Sequence, residues 1–351
     1  MLVLGIESSC DETAAAVVRD GRQVLSNVIA SQHDLHAEYA GVVPEIASRA
    51  HVERMLPVLH RALAEAGVER GDLDAVAVGH RPGLIGSLLT GVSAAKALAW
   101  GLGKPLVGVD HVQAHLYAGT LDREEPAFPA LGLVVSGGHT SIYRLDSWLH
   151  LTRLGGTIDD AIGEAYDKAA VILGLPFPGG PNLDRLAQTQ REGDTPVSFP
   201  VSRLSKESLD FSFSGLKTSL LYAVRGKPVG RGREATFERD HTALSEDERR
   251  CLAAGFQMAA VKAITTKLER ALAQAADESY HTLLVGGGVS ANSHLRQELT
   301  ALAERAGLDL RLPALAYCLD NAAMIAGLGA RLFEAGETAD LTLAAVPTTR
   351  C

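Results

Sequence analysis

Residues 4–13 read LGIESSCDET and residues 131–140 read LGLVVSGGHT, so that Leu4, Gly5, Ser9 and Thr13 recur as Leu131, Gly132, Ser136 and Thr140. Each copy is a short apolar run, a polar or glycine-rich turn and a second run (residues 14–18 in one, 141–143 in the other), which is the pattern of a β-hairpin. Two such hairpins predict a duplicated domain. Duplicated domains whose hairpins face each other enclose a cleft, and turns of free backbone N–H groups or carboxylates on its walls suit phosphate or a metal ion.

Outward from the first copy, residues 24–30 read as a third strand. A helix then carries Val52, Met55, Leu56, Leu59 and Leu63 at helical spacing and stops at Gly67. Residues 73–78 predict a buried strand, 81–83 a turn, 88–100 a small-residue helix, and 105–109 a strand entering a helix near Asp110. After a Pro- and Glu-containing linker at 121–129, the second copy leads to a helix over 158–173 and a breaker-rich PFPGGPN at 176–182. Then follow an Ala-rich helix over 252–275, a strand at 282–285 running into Gly286-Gly287-Gly288, a helix over 292–306, a strand at 308–312 and a last helix over 320–335. Strands alternating with helices predict an α/β fold with partly parallel sheets, whose ligands collect at the carboxyl ends of strands.

With 351 residues, 46% of them hydrophobic, the chain is long enough for two cores. A net charge of -9 argues against nonspecific coating of nucleic acid but leaves room for a local basic patch, and RGKPVGRGR at 225–233 is either a solvated loop or such a contact. Four cysteines at 10, 251, 318 and 351 have neither zinc-knuckle nor disulfide spacing. No basic leader region and no run of 18 apolar residues is present, which predicts a soluble cytoplasmic protein without a membrane partner.

His111 and His115 stand at i and i+4 after Asp110, a spacing that puts two imidazoles on one helical face and allows them to share a metal ion. Val112 and Gln113 occupy the places where an HExxH zinc protease keeps its general base. A third ligand must come from elsewhere, and Asp320, opening the last helix, is a candidate. Ser136-Gly137-Gly138-His139 and Gly286-Gly287-Gly288 each follow a strand, where glycine lets backbone approach a ligand; neither is a P-loop or GxGxxG. Asp159, Asp160, Glu164 and Asp167 are expected on one helix, the last three on one face, either solvated or holding a ribose through Asp167. Pro178-Gly179-Gly180-Pro181 with Asp184 either closes over a sugar or makes a rigid turn. The turn at Asp11 and Glu12 either caps a hairpin or brings charge to a reaction centre.

GIESSCDET (5–13), HAEYAGVVPEIASRAH (36–51), HVQAH (111–115), VSGGHT (135–140), DDAIGEAYDK (159–168), PGGP (178–181), DFSFSGLKT (210–218), GGGVSANSHLR (286–296) and CLDNAAMIA (318–326) together resemble the TsaD family of bacterial tRNA adenosine threonylcarbamoyltransferases. That family once bore the label O-sialoglycoprotein endopeptidase and has relatives in the KEOPS complex. The resemblance runs from about residue 2 to residue 347.

It implies two duplicated actin-like, Hsp70-like (ASKHA, RNase H-like) domains around a nucleotide-binding cleft: residues 1–120 with 318–351 carrying the metal ligands, and residues 121–317 binding the nucleotide. It implies transfer of a threonylcarbamoyl group from threonylcarbamoyl-AMP to the N6 amine of the adenosine beside the anticodon in tRNAs reading codons that begin with A. The implied metal ligands are His111, His115 and Asp320, holding one divalent ion per subunit, iron, with zinc as the alternative. Val134, Val135, Ser136, Gly137, Gly138, Asp167, Gly180, Asp184 and Asn292 would bind substrate, and Asp11 or Glu12 would accept the amine's proton. The implied partners are tRNA, threonylcarbamoyl-AMP, an inactive TsaB-like paralogue and a small TsaE-like P-loop ATPase. The competing readings are a metallopeptidase and an ATPase of the same superfold. One departure from the family is Gly79-His80-Arg81-Pro82-Gly83-Leu84, where the family has a small residue before Gly-Pro-Gly-Leu; the turn survives, with an added Arg81.

Overall fold

The structure is a computed structural model that describes residues 1–36, 39, 41–202, 204–230, 236–275 and 279–348. The 231–233 part of the basic loop, and residues 349–351 of the first expected domain, therefore lie outside the described residues.

The first half runs β1 (Leu2–Glu7), β2 (Glu12–Arg19), β3 (Gln23–Ser31), α1 (His33–His36), α2 (Pro44–Ala66), β4 (Ala75–Arg81), α3 (Ile85–Leu102), β5 (Leu106–Asp110) and α4 (His111–Tyr117). The second runs β6 (Ala130–Val135), β7 (Thr140–Ser147), β8 (His150–Gly156), α5 (Ile162–Ile172), α6 (Gly179–Gln188), α7 (Ser214–Arg225), α8 (Glu246–Gln274), β9 (Thr282–Gly286), α9 (Ser293–Ala306) and β10 (Asp309–Arg311), before α10 (Ala322–Glu334) returns to the first half.

The echo in sequence is an echo in topology. Two five-stranded sheets have the orders β3-β2-β1-β4-β5 and β8-β7-β6-β9-β10. In each, the first three strands form an antiparallel meander and the remaining two run parallel to its first strand and to each other. Apolar side chains cover both faces of the central strands, which is why these strands read as near-continuous apolar runs. On β1, Val3 faces one core while Leu4 and Ile6 face another.

Three cores result. The outer face of the first sheet packs on α2 and α3 through Met55, Leu59, Leu63 and Val92, and the outer face of the second packs on α5 to α9 through residues such as Phe256 and Leu299. Between the sheets, α4 and α10 share a central core with strands of both. The repeated glycines serve this layer: a Cβ on Gly5 would lie 2.3 Å from Ala322 O of α10, and one on Gly132 would lie 2.9 Å from Leu116 Cδ1 of α4. Gly67 ends α2 as anticipated, in the left-handed conformation at φ 64°.

Four local expectations need correction. Val52 and Leu56 are 66% and 67% exposed on α2, because Val58 and Ala62 join Met55, Leu59 and Leu63 on the buried face instead. Asp159 and Asp160 precede α5, the first bonding Ser212, Ser214 and Phe213 N, the second paired with Lys168 and Lys217. PGGP begins α6 rather than interrupting structure, since glycine and proline are tolerated in a helix's first turn. Asp320 stands two residues before α10, whose cap is Asn321, accepting from Met324 N. Although no unbroken apolar run occurs, α3 has the length and hydropathy of a membrane span, the one such helix among the described residues; it carries Lys96 and packs on α2 and β4.

Candidate metal centre and ligand cleft

The parallel strands of the first sheet end where α4 begins. Asp110, last in β5, caps that helix by accepting from Val112 N (3.0 Å) and Gln113 N (3.2 Å), and so sets the helix that carries both histidines. Asp320, released from capping by Asn321, points to the same place. Its Oδ1 lies 3.5 Å from His111 Nε2 and 3.1 Å from His115 Nε2, and one ligand atom from each of the three residues lies within 4.8 Å of the others. Both ring nitrogens of His115 are buried without a well-formed hydrogen bond. Buried polar atoms left in this state are costly unless something completes them, and two imidazoles with a carboxylate form a donor set suited to a divalent ion.

Electrostatics agree. Burial opposes charge on His111, but Glu7 and Asp320 outweigh it and raise its pKa to about 9. Burial lowers that of His115. Asp320, although half-buried, is held far below the usual carboxylate range by the two imidazoles. The cluster is thus built around attraction between an acid and two bases, the arrangement a cation would reinforce.

A cleft of about 1600 Å³ opens above this cluster. One wall is the β1–β2 turn. Here Asp11 and Glu12 are 8% and 7% exposed, and with His33 they form a second group with ligand atoms within 4.8 Å. Burial, then repulsion from Asp320 and Asp11, pushes the Glu12 carboxyl far above its ordinary range, so it is held in the acid form at neutral pH. The opposite wall is the β6–β7 turn, closed by Ser136 N donating to His139 O (2.8 Å) and His139 N donating to Ser136 Oγ (3.1 Å). Gly137 and Gly138 line the cleft, and a Cβ at either would meet nothing within 4 Å. Packing does not demand glycine at these two positions; the space beside them is free for a ligand.

Of the other positions singled out in the sequence, Ser136, Asp167, Gly180, Asp184 and Asn292 line the cleft. Val134 and Val135 do not: they are fully buried in β6. Asp184 accepts from Ser293 N, Ser293 Oγ, Gln257 Nε2 and Gln188 Nε2. Asn292 caps α9 through Leu295 N and donates to Gln257 Oε1. Asp167 accepts from Gly180 N at 3.1 Å, and burial raises its pKa. These three side chains therefore shape the wall as well as face it. Sequence reasoning missed Gln257, which ties Asp184 to Asn292, and His33. It also missed Glu7, which stands against the His111 ring. Glu7 was the legible one of these, since the echo aligns it with Val134 and so sets a carboxylate in one copy against an apolar residue in the other. Arg81, the departure from the family pattern, donates from Nε to Asp110 Oδ2 at 3.2 Å.

Two actin-like halves around a cleft, with a His₂–carboxylate cluster at its base, define the class of this protein. Over 96% of its length it superposes on the activator of the 2-hydroxyisocaproyl-CoA dehydratase from Clostridium difficile with bound ADPNP, at a TM-score of 0.52 and 12% identity, covering 97% of that chain. A family model described as tRNA N6-adenosine threonylcarbamoyltransferase, TsaD, matches residues 23–327. A protein of that name from Symbiobacterium thermophilum is 50% identical over 349 residues, 99% of this chain and 96% of its own, and one from Trichlorobacter lovleyi is 50% identical over 350 residues, 99% and 96% of the two chains. The chain belongs to the TsaD family of tRNA N6-adenosine threonylcarbamoyltransferases, acyltransferases of t6A tRNA modification.

Proposed function

We propose that this chain transfers the threonylcarbamoyl group of threonylcarbamoyl-AMP to the N6 amine of the adenosine beside the anticodon, with His111, His115 and Asp320 holding one divalent ion. The observation that carries the reading is the juxtaposition, in one cleft, of that ligand cluster, an acidic turn and an open glycine turn. The donor set suits iron, with zinc as the alternative. When bound, the ion supplies a Lewis acid for the carbonyl or the departing phosphate.

The chain's own residues do the rest. Backbone at Gly137 and Gly138 lies against the adenylate, with Asp167, Gly180, Asp184 and Asn292 forming the surrounding wall. The amine attacks the carbamoyl carbon, the bond from that carbon to the phosphate oxygen breaks, and AMP leaves with the electron pair. The amine's proton passes to Asp11 or Glu12, the two carboxylates of the acidic wall, and the other positions the reacting groups. No covalent enzyme intermediate is required, since a mixed anhydride is already activated.

A zinc peptidase of the HExxH type would keep its water-activating base between the two histidines, where this chain has Val112 and Gln113. An ATPase of the superfold would turn over ATP alone, and neither alternative is favoured by the names of the relatives. The same reading includes a cytoplasmic location, a TsaB-like paralogue docked on the first half and a small TsaE-like ATPase. Exposed Val52 and Leu56 on α2, with Ile85 and Leu89 on the adjoining α3, support docking there. At net charge -9, a composite tRNA surface shared with partners is expected, to which the loop at 225–233 contributes. The deciding experiment is transfer to unmodified tRNA by wild type and His111→Ala, with threonylcarbamoyl-AMP and partners supplied and metal content measured in both. Modification by wild type and its loss together with metal in the variant is expected; an inactive wild type overturns the proposal.

A further inference from the structure

The two histidines of the cluster are not equivalent. His115 makes no well-formed hydrogen bond, with only Asp320 Oδ1 near its Nε2 and nothing at Nδ1, whereas His111 Nδ1 lies 3.1 Å from Glu7 Oε2 and 3.2 Å from Ser9 Oγ. Glu7 ends β1 with no exposed surface, and its second oxygen, Oε1, accepts from Ser9 N at 2.5 Å. The neighbouring strand makes room for it: a Cβ on Gly79 of β4 would lie 2.6 Å from Glu7 Oε2. The carboxylate therefore has one place to sit, and in that place it faces the side of the His111 ring turned away from Asp320.

We propose that Glu7 is the positioning residue of the metal centre: by accepting a hydrogen bond from His111 Nδ1–H it fixes the ring and presents Nε2 as the ligating atom. A carboxylate behind a ligating imidazole also increases the basicity of the ligating nitrogen. His111 is then oriented by the protein before any ion arrives, while His115 takes its final partner only from the ion. Ser9 assists from the same turn, so the first hairpin contributes Asp11 and Glu12 to the cleft and Glu7 to the support beneath the ligand. This rests on reading His111, His115 and Asp320 as the metal centre.

The test is zinc affinity, measured by chelator competition on the full chain, for wild type, His115→Ala and Glu7→Gln. Wild type binding one zinc and His115→Ala losing it establish the centre independently of Glu7; if these two proteins bind alike, the metal-centre reading itself falls. Given that centre, Glu7→Gln, which keeps side-chain size but removes the carboxylate, is expected to weaken zinc binding about 10- to 100-fold. Unchanged affinity overturns the role of Glu7. A measurement that needs no Glu7 variant covers the case of a misfolded Glu7→Gln. In nitrogen-15 histidine spectra of the zinc-loaded protein, with His111 assigned by its absence in His111→Gln, Nδ1 should carry the proton and Nε2 the metal-shifted signal. The opposite assignment overturns the proposal.

Discussion

The β1–β2 and β6–β7 turns hold the same place in two sheets of the same strand order, yet they face the cleft with opposite properties. The first is acidic and closed, with Asp11 and Glu12 buried; the second is open, with Gly137 and Gly138 exposed and room beside both. Position by position, Glu7 stands where the second copy has Val134, and Glu12 where it has His139. Burial acts on the last pair in opposite directions, raising the pKa of the Glu12 carboxyl and lowering that of His139 to about 4, so both are driven toward their neutral forms. A duplicated scaffold thus provided two equivalent walls. Substitution at the strand ends then made one wall acidic and closed and the other glycine-rich and open.

The severest way to break this comparison is to empty the first half's centre. His115→Ala should remove the metal and lower transfer on the order of a thousandfold or more, read by metal analysis beside tRNA modification. Transfer within tenfold of wild type would show that the reaction does not depend on that side. The next test addresses the second wall. Gly137→Val has space for its side chain, so the melting temperature should hold while KM for the adenylate rises about tenfold, a cost near 1.4 kcal/mol. Gly163→Ala is its contrast: a Cβ there would lie 2.7 Å from Ser136 O, so stability should fall as well. If both variants fold equally well, the open and packed glycines are not distinct.

The Glu12 and His139 pair makes a finer test, in metal-free protein. Folded Glu12 keeps a proton that the unfolded chain releases above 4.5, so its contribution is present at low pH and is lost as pH rises from there. Glu12→Gln should therefore melt about 2 °C higher than wild type at pH 8 and no higher at pH 4. His139 has the reverse sign: the unfolded chain takes up a proton below 6.5 that the folded form refuses until about 4, so stability falls through that window on acidification. His139→Gln should flatten that limb of the melting curve. Equal pH profiles for all three proteins would deny the two positions their opposite environments. The smallest effect is expected for Arg81→Ala. Its partner Asp110 is 6% exposed and already holds α4 through two backbone bonds, while Arg81 is 41% exposed. Loss of so exposed a pairing should change activity no more than about twofold.

The hairpins, the parallel strands and most helices were legible because central strands covered on both faces produce continuous apolar runs, and helix ends carry their own punctuation in Gly67 and Asn292. The edge strand β8 was not: HLTRLGG buries only its last two residues fully and lacks such a run. Nor was the true buried face of α2, since Val52 and Leu56 are as apolar as the residues that face the core. At the site, HVQAH was legible because its spacing is local to one helix. The partners of these histidines were harder, as Asp320 and Glu7 lie 205 and 104 residues from His115 and His111 along the chain.

What the sequence by itself determined is the duplication, most of the order of strands and helices, the family and the residue types of the candidate site, because each is written in short-range pattern or in matched motifs. What only the tertiary structure decided is which of those residues meet. Packing of α4 and α10 between the two sheets brings Asp320 to His111 and His115, leaves Val134 and Val135 inside β6, and frees the space beside Gly137. Those outcomes depend on close approach between distant segments, such as Gly5 against Ala322, and no local pattern in the chain encodes a distance between them.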